Sequence, residues 1–562
     1  MIAMPLDQNL ITDLTCALPV DAWTDSDSHV HLKIPPCLNG GWRIVDYQTD
    51  AYSGRCISTS STQSAELTIP LARIGHHAVH IGLCERLHGV SVIEVRLTND
   101  EHWQLLWATN GPLQEIPWRF ADLTGQSLHI RFPRQLPPFI QDREHAGLVA
   151  RLFSVRCTPL PAEHVAILEQ ASPRRMVYFN DGHGIFYYPE RPGRHIVDEA
   201  LEPFADSDWD TCCFAHGGAD LVNYPSEVGT IIGEDGWDFL RPGDQRVRDN
   251  IVGCIELGID PFQQAIEKAH EQKQPFLHYL RPQGWAGDPY YGHAFLSRFF
   301  REHPEYRCVE ADGTPLSKLS IAFQPVREQL NAILQEGLDR GTDGICIVFT
   351  RGFPLVRYEK PVAKHYAQVF GKQDMNKLAS SDPDLRSVWS FFVTQWIREV
   401  RDLLDTAGPS PMRSRRELAV MVGPDREWNS RFGIDISSWA KEGLIDAVLP
   451  YPRGRERTDG ICNVGEIAED IPTETIGLLP SVGSWSDLLL PLAKVRQRAH
   501  SYYQQGATGL SRWDTPPYLA RLGLNRAEEQ ALWCDHYLGR QDIEVIEMAG
   551  LQLKRFEPMI GF

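Results

Sequence analysis

The chain has 562 residues, 42% hydrophobic and 23% charged, with a net charge of −19 and no basic run. That is more chain than one ordinary core needs, so two domains are expected, and the acidic balance argues against nucleic acid and anionic membrane surfaces as partners while admitting a neutral substrate. The twelve cysteines lie mostly in apolar runs without a C-x-x-C pair, which predicts reduced core residues rather than a zinc site.

From about Ser28 to Thr158 short strand-like runs alternate with turn residues: HVHLKI, GGWRIVDY, GRCISTS, AELTIPL, HAVHIGLC, SVIEVRLTN, HWQLLWAT, SLHIRF and LVARLFSVRC. Regular strands without a helical period predict an all-β sandwich over residues 1–165. Trp103, Trp107 and Trp118 either offer stacking faces for sugars or fill the sandwich core and its seam. The Pro-rich segments LPPF and TPLPAEH mark the boundary.

Beyond Arg175 the pattern becomes apolar strand, polar loop, amphipathic helix, repeated. Eight candidate strands begin near Met176, Thr211, Pro275, Ile345, Glu417, Ala447, Thr475 and Thr508. This periodicity predicts a (β/α)8 TIM barrel over 166–540, with an open doubly wound sheet disfavoured because no strand is followed by a glycine-rich phosphate loop. Residues 541–562 are expected to add a strand-like tail outside the barrel. The helix over 387–405 should be the longest. No apolar stretch is long enough to span a membrane, and the first residues lack a cationic region followed by an apolar run. A cytoplasmic location is therefore expected, unless a signal peptide precedes this numbering.

The predicted strand ends collect chemistry. Strand one ends in Asp181 and His183, strand two in His216 and Asp220, and strand three in His278 and Tyr279 with Arg281 and Trp285 beyond. Strand four leads to Arg351 and Glu359, strand five to Asp425, Glu427 and Trp428, strand six to Tyr451 and Arg453, strand seven to Trp485, and strand eight to Trp513 and Asp514. Carboxylates, imidazoles, guanidinium groups and aromatic rings on one rim suit a saccharide: rings stack on sugar CH faces, planar polar groups fix hydroxyls, and two carboxyl groups work the glycosidic bond.

The runs FFREHPEYRCVEADGTPLSKLSIAFQPVREQL, GTDGICIVFTRGFPLVRYEKP and FGIDISSWAKEGLIDAVLP carry a resemblance. Together with the sandwich-then-barrel order, the chain resembles the poorly characterised glycosyl hydrolase-like (β/α)8 barrel proteins, a group related to the glycoside hydrolases. Related barrels carry a strand-four pattern DGI-x-x-D-x-x-R, which Asp343, Gly344, Ile345 and Arg351 match, whereas Val348 stands where the pattern has its acid. The resemblance implies a glycosidase but does not supply its strand-four carboxylate.

The catalytic pair is therefore expected among Glu359, Asp425, Glu427 and Asp514. Trp428 would raise the pKa of Glu427, and Arg351 would keep the other carboxyl ionised. Substrate contacts are assigned to Asp181, His183, His216, Asp220, His278, Trp285, Arg351, Trp428 and Trp513. No cofactor and no catalytic metal are expected, and the oligomeric state is open, a homo-oligomer included. Two alternatives remain: a metal-dependent hydrolase, lyase or isomerase using His183, His216 and His278, and a non-catalytic carbohydrate-binding protein, which the missing strand-four acid favours.

Overall fold

The computed structural model describes the chain apart from residues 1–6, 20–40, 85–89, 110, 135–147, 188, 190, 235–240, 286–294, 351, 372–373, 453–460, 485–486, 488–489, 549–550 and 553–562. The run HVHLKI, Arg351, Arg453 and Trp485 fall outside the described residues. The chain divides into two compact units: Met1–Pro173 with Leu488–His500 and Pro516–Phe562, and Arg174–Asp487 with Ser501–Thr515. No helix among the described residues is long and apolar enough to cross a membrane.

The first unit is built on strands, as the alternating pattern predicts. Leu148–Pro159 links its two sheets: its first residues run parallel to Val90–Leu97, and the remainder antiparallel to Ser53–Thr59 and His76–Leu83. Trp107 and Trp118 are 2% exposed and serve this unit's core, whereas Trp103 lies under the guanidinium groups of Arg96 and Arg131. Val545–Met548 pairs antiparallel with Arg43–Thr49. Residues 516–540, expected to close the barrel domain, also belong to this first unit. Arg540 and Gln541 are tied to Glu115, the first through its backbone N–H on the carboxylate and the second through its side chain on the carbonyl.

The second unit is a (β/α)8 barrel. Its strands are Arg175–Asn180, Thr211–Ala215, Phe276–Leu280, Gly344–Val348, Glu417–Val422, Ala447–Pro450, Gly477–Leu478 and Gly509–Arg512, all parallel and hydrogen-bonded in chain order, with the eighth returning to the first. A parallel bridge between Ser481 and Ser511 joins the seventh segment to the eighth. The longest helix, Pro383–Ala407, contains the predicted 387–405 segment and is capped by the Asp382 side chain.

Side chains alternate across each strand, and Val177, Phe179, Leu277, Tyr279, Cys346, Val348, Met421, Leu449 and Trp513 belong to one buried cluster inside the barrel. At its amino-terminal end Arg175 grips Glu417 through two bonds of 2.7 and 2.9 Å. Burial pushes the Glu417 pKa up, but Arg175 and Arg413 outweigh it and hold the carboxyl below its ordinary value. Asp343 of the DGI run also works at this end, accepting from Phe276 N–H, His270 and Ser410, each at 2.7 Å. Gly344 follows because a Cβ there would meet the Glu417 carbonyl oxygen at 2.4 Å.

Candidate active site

Strand parity decides which rim groups face the barrel mouth. Tyr279 and Trp513 meet edge to face at 5.4 Å, Tyr451 lies 5.3 Å from Trp513, and Phe179 is parallel to it at 6.3 Å. These rings, each no more than 1% exposed, plug the barrel beneath its mouth. Arg281, two residues past Tyr279 and so of the same parity, donates Nη2–H to the Tyr279 hydroxyl at 2.8 Å and sets its guanidinium carbon 5.3 Å from the Trp513 ring centre. Burial works against its charge, yet the Tyr279 hydroxyl and the carboxylates of Asp181 and Asp514 hold its pKa above the usual arginine value.

The two carboxylates are positioned by local backbone. Asp181 Oδ1 accepts from the N–H groups of His183 (3.0 Å) and Gly184 (2.7 Å), leaving Oδ2 without a hydrogen bond among the described residues. Asp514 sits at φ +43°, a left-handed conformation uncommon outside glycine, with Oδ2 accepting from the Trp513 indole N–H at 2.8 Å. Lys318, on the strand Pro315–Leu319, donates to the carbonyls of Gln283 (3.2 Å) and Trp285. Burial and the charge of Arg281 push its pKa down to about 8. At the fourth strand Val348 points into the barrel, so the position where the resembling barrels carry an acid is an apolar core position here.

Thus the structure brings Asp181, Trp513 and Asp514 together and adds Arg281, Tyr279, Tyr451 and Lys318. Arg281 and the two tyrosines stand at predicted strand ends, and parity was the signal that would have selected them. Lys318 sits in an insertion with no period to place it.

The remaining candidates lie elsewhere. His278 falls between Leu277 and Tyr279 and therefore faces the helices, where a Cβ on Gly337 would meet its Nδ1 at 2.1 Å. His216 Nε2–H donates to the Ala219 carbonyl at 2.9 Å, so its Nδ1 is the acceptor for His278 Nε2–H at 2.7 Å. Both rings are buried and neutral: burial drives the His216 pKa down to about 4, and burial and then His216 hold His278 well below the ordinary histidine value. His183 instead faces Asp244, with Nε2 3.5 Å from Oδ1. The three histidines of the metal alternative do not gather as a ligand set: among the described residues no three His, Cys, Asp or Glu side chains come together to hold a metal ion.

Asp220 and Trp285, expected to touch substrate, are both fully buried and bonded to each other, indole N–H to carboxylate at 2.6 Å; Gln329 donates to the second oxygen at 3.2 Å. Glu359 is 1% exposed and accepts from the backbone N–H groups of Arg357 (3.0 and 2.9 Å) and Val309 (3.1 Å), which pins the Arg307–Val309 strand to the loop after strand four. Its burial pushes the pKa up to about 7. Asp425 caps the helix Arg426–Ser430 by accepting from Trp428 N–H at 2.8 Å. The Trp428 ring is buried against Phe353 and Phe432, at 4.6 and 4.8 Å. Glu427 has a 62% exposed side chain, and Arg431 and then Arg386 lower its pKa, the reverse of the shift a general acid needs.

No family model and no curated protein matches the chain. Among solved structures it is similar to alpha-L-fucosidase isoenzyme 2 from Paenibacillus thiaminolyticus, with 12% identity and a TM-score of 0.40 over 64% of this chain and 49% of that one. It is also similar to the alpha-galactosidase TtGalA from Thermus thermophilus, with 11% identity and a TM-score of 0.33 over 88% and 94% of the two chains. The catalytic domain of beta-amylase from Paenibacillus polymyxa gives 8% identity and 0.42 over 65% and 98%. The chain spans about half the length of the fucosidase. These neighbours are glycoside hydrolases, but at such identities and TM-scores they carry no argument about activity, and the barrel stands on its own strand order.

Proposed function

We propose that the chain is a carbohydrate-active hydrolase that cleaves a glycosidic bond at the carboxyl-terminal mouth of its barrel, with Asp181 and Asp514 as the working carboxyl groups. The observation that carries this reading is Arg281, stacked on Trp513 and held between the fields of those two carboxylates. A pyranose at the mouth would present its hydroxyls to the half-buried groups of Arg281, Asp181 and Asp514, above the buried rings of Trp513 and Tyr451. Asp514, fixed beside the indole, is assigned to protonate the departing glycosidic oxygen. Asp181, anchored by two backbone N–H groups, is assigned to stabilise the positive charge that develops at the anomeric carbon. A screen on aryl glycosides and oligosaccharides, followed by Asp181→Asn and Asp514→Asn on any substrate found, tests it. Wild-type turnover in both variants would sink the assignment.

Binding without turnover is the second reading. Val348 supports it, because an apolar core residue occupies the place where related barrels carry an acid. A parent protein that binds oligosaccharides and hydrolyses none would establish it.

A further inference from the structure

Arg281 reaches the mouth from a short turn, and that turn is gripped from two sides. The Arg281 carbonyl accepts from the Gly284 N–H at 3.1 Å, which closes the turn, and from the Ala219 N–H at 3.0 Å. Gly284 lies so close to the preceding strand-two loop that a Cβ there would meet the Ala219 nitrogen and the Gly218 carbonyl carbon at 2.5 Å. On the other side stands the antiparallel pair Arg307–Val309 and Pro315–Leu319, an insertion before the helix Gln324–Asp339. From it Lys318 Nζ donates to the Gln283 carbonyl at 3.2 Å and to the Trp285 carbonyl. The Gln283 side-chain amide returns a bond to the Leu319 carbonyl at 2.5 Å.

Lys318 is not placed as a surface lysine is. It is half-buried, has no carboxylate partner among the described residues, and spends both of its hydrogen bonds on the backbone of the turn that carries Arg281. Burial and the neighbouring charge of Arg281 both oppose an ammonium here, so the two carbonyls are what keep it in place. Bonds to main chain fix a loop, whereas an ion pair would fix only another side chain. We infer that Lys318 is a positioning residue for Arg281: by tying residues 283 and 285 to the inserted strand pair, it sets the turn from which the guanidinium extends between Asp181 and Asp514. The inference rests on the reading of the mouth as the reacting site, and names the group that aligns its cation.

The first readout needs no substrate. Phenylglyoxal modification of Arg281 in the full chain, followed by peptide mass spectrometry, should be about tenfold faster in Lys318→Met, which keeps the apolar stem and removes the donors. Lys318→Arg, whose guanidinium can span two carbonyls, should return the rate to within a few-fold of the parent. The second readout is a double-mutant cycle on any aryl glycoside the parent hydrolyses. Lys318→Met should lower kcat/KM by about tenfold or more in the parent background, and should cost nothing further when Arg281→Met is already present, because the lysine acts only through that arginine. Unchanged Arg281 labelling in Lys318→Met, faster labelling shared by arginines throughout the chain, failure of Lys318→Arg to restore the rate, or losses that simply add in the double variant would each overturn the inference. A parent chain that hydrolyses no glycoside would sink the catalytic reading instead, and the labelling would then decide this one.

Discussion

The two faces of the barrel sheet carry similar residues at their carboxyl ends and use them in opposite ways. Inside the mouth, Asp181, Arg281 and Asp514 share a polar group set on an aromatic floor. Behind the sheet and in the loops beyond it, His216, His278, Asp220 and Trp285 are equally polar or aromatic, yet each is fully buried. Their bonds run to one another and to neighbouring backbone, and tie loops to helices. At His278, Tyr279 and Arg281 the parity of the strand decides whether a residue meets the mouth or the helix layer, whereas at Asp514 the left-handed backbone after Trp513 overrides it.

The sharpest test of that contrast is activity. Asp514→Asn should lower turnover by roughly 10²–10⁴-fold, least for substrates with good leaving groups, because such groups need little protonation. Arg281→Met should also lose activity while the fold survives. If Asp220→Asn or His278→Gln cost as much turnover per folded molecule as Asp514→Asn, the division between the two faces would collapse.

The face behind the sheet should respond in stability instead. Asp220→Ala removes the acceptor shared by the Trp285 indole N–H and the Gln329 amide, leaving them Ser297 Oγ at 3.1 Å and the Val228 carbonyl at 3.3 Å, a loss of about 1–3 kcal/mol in chemical denaturation. Turnover per folded molecule should stay within a few-fold of the parent, to order of magnitude.

Glu359 adds a pH signature to the structural group. Its folded pKa of about 7 lies above the ordinary glutamate value of 4.5, so between those values the folded state holds the proton more tightly than the unfolded chain. The folded state therefore loses stability as pH rises through that window, by roughly 3 kcal/mol at most, and then levels off. Glu359→Gln should flatten the unfolding midpoint between those pH values. A parent protein whose stability rises across the same range, with no difference in the variant, would contradict the assignment.

Much of this architecture was readable in advance. The eight strands, the longest helix and the all-β character of the first region follow from apolar periodicity, which tertiary packing reinforces here. The position of Trp513 and Asp514 at the end of the last strand was legible because a Trp-Asp pair closes it. The misplacement of His278 has a simple cause: its neighbours Leu277 and Tyr279 are apolar and aromatic, so the run FLHYL gives no polar alternation to show which face it takes. Glu359 looked catalytic and Asp220 looked like a substrate contact because isolated carboxylates on loops are ambiguous until their hydrogen-bond donors are seen. Residues 516–540 joined the first unit through contacts such as Gln104 with the Tyr518 carbonyl, far apart in sequence and invisible to local pattern.

The smallest effect expected separates a rim carboxylate from a mouth carboxylate. Glu427 looks like a general acid by sequence, being next to Trp428, but it is exposed, and its arginine partners stand 3.3 and 3.4 Å away at the surface. Exposed ion pairs contribute little because water screens them and two long side chains must be ordered. Glu427→Gln should therefore change stability by no more than about 0.5 kcal/mol and leave turnover unchanged, with the residual effect fading in high salt. A large loss of activity in Glu427→Gln, with Asp514→Asn unaffected, would move the catalytic centre from the barrel floor to the loop after strand five.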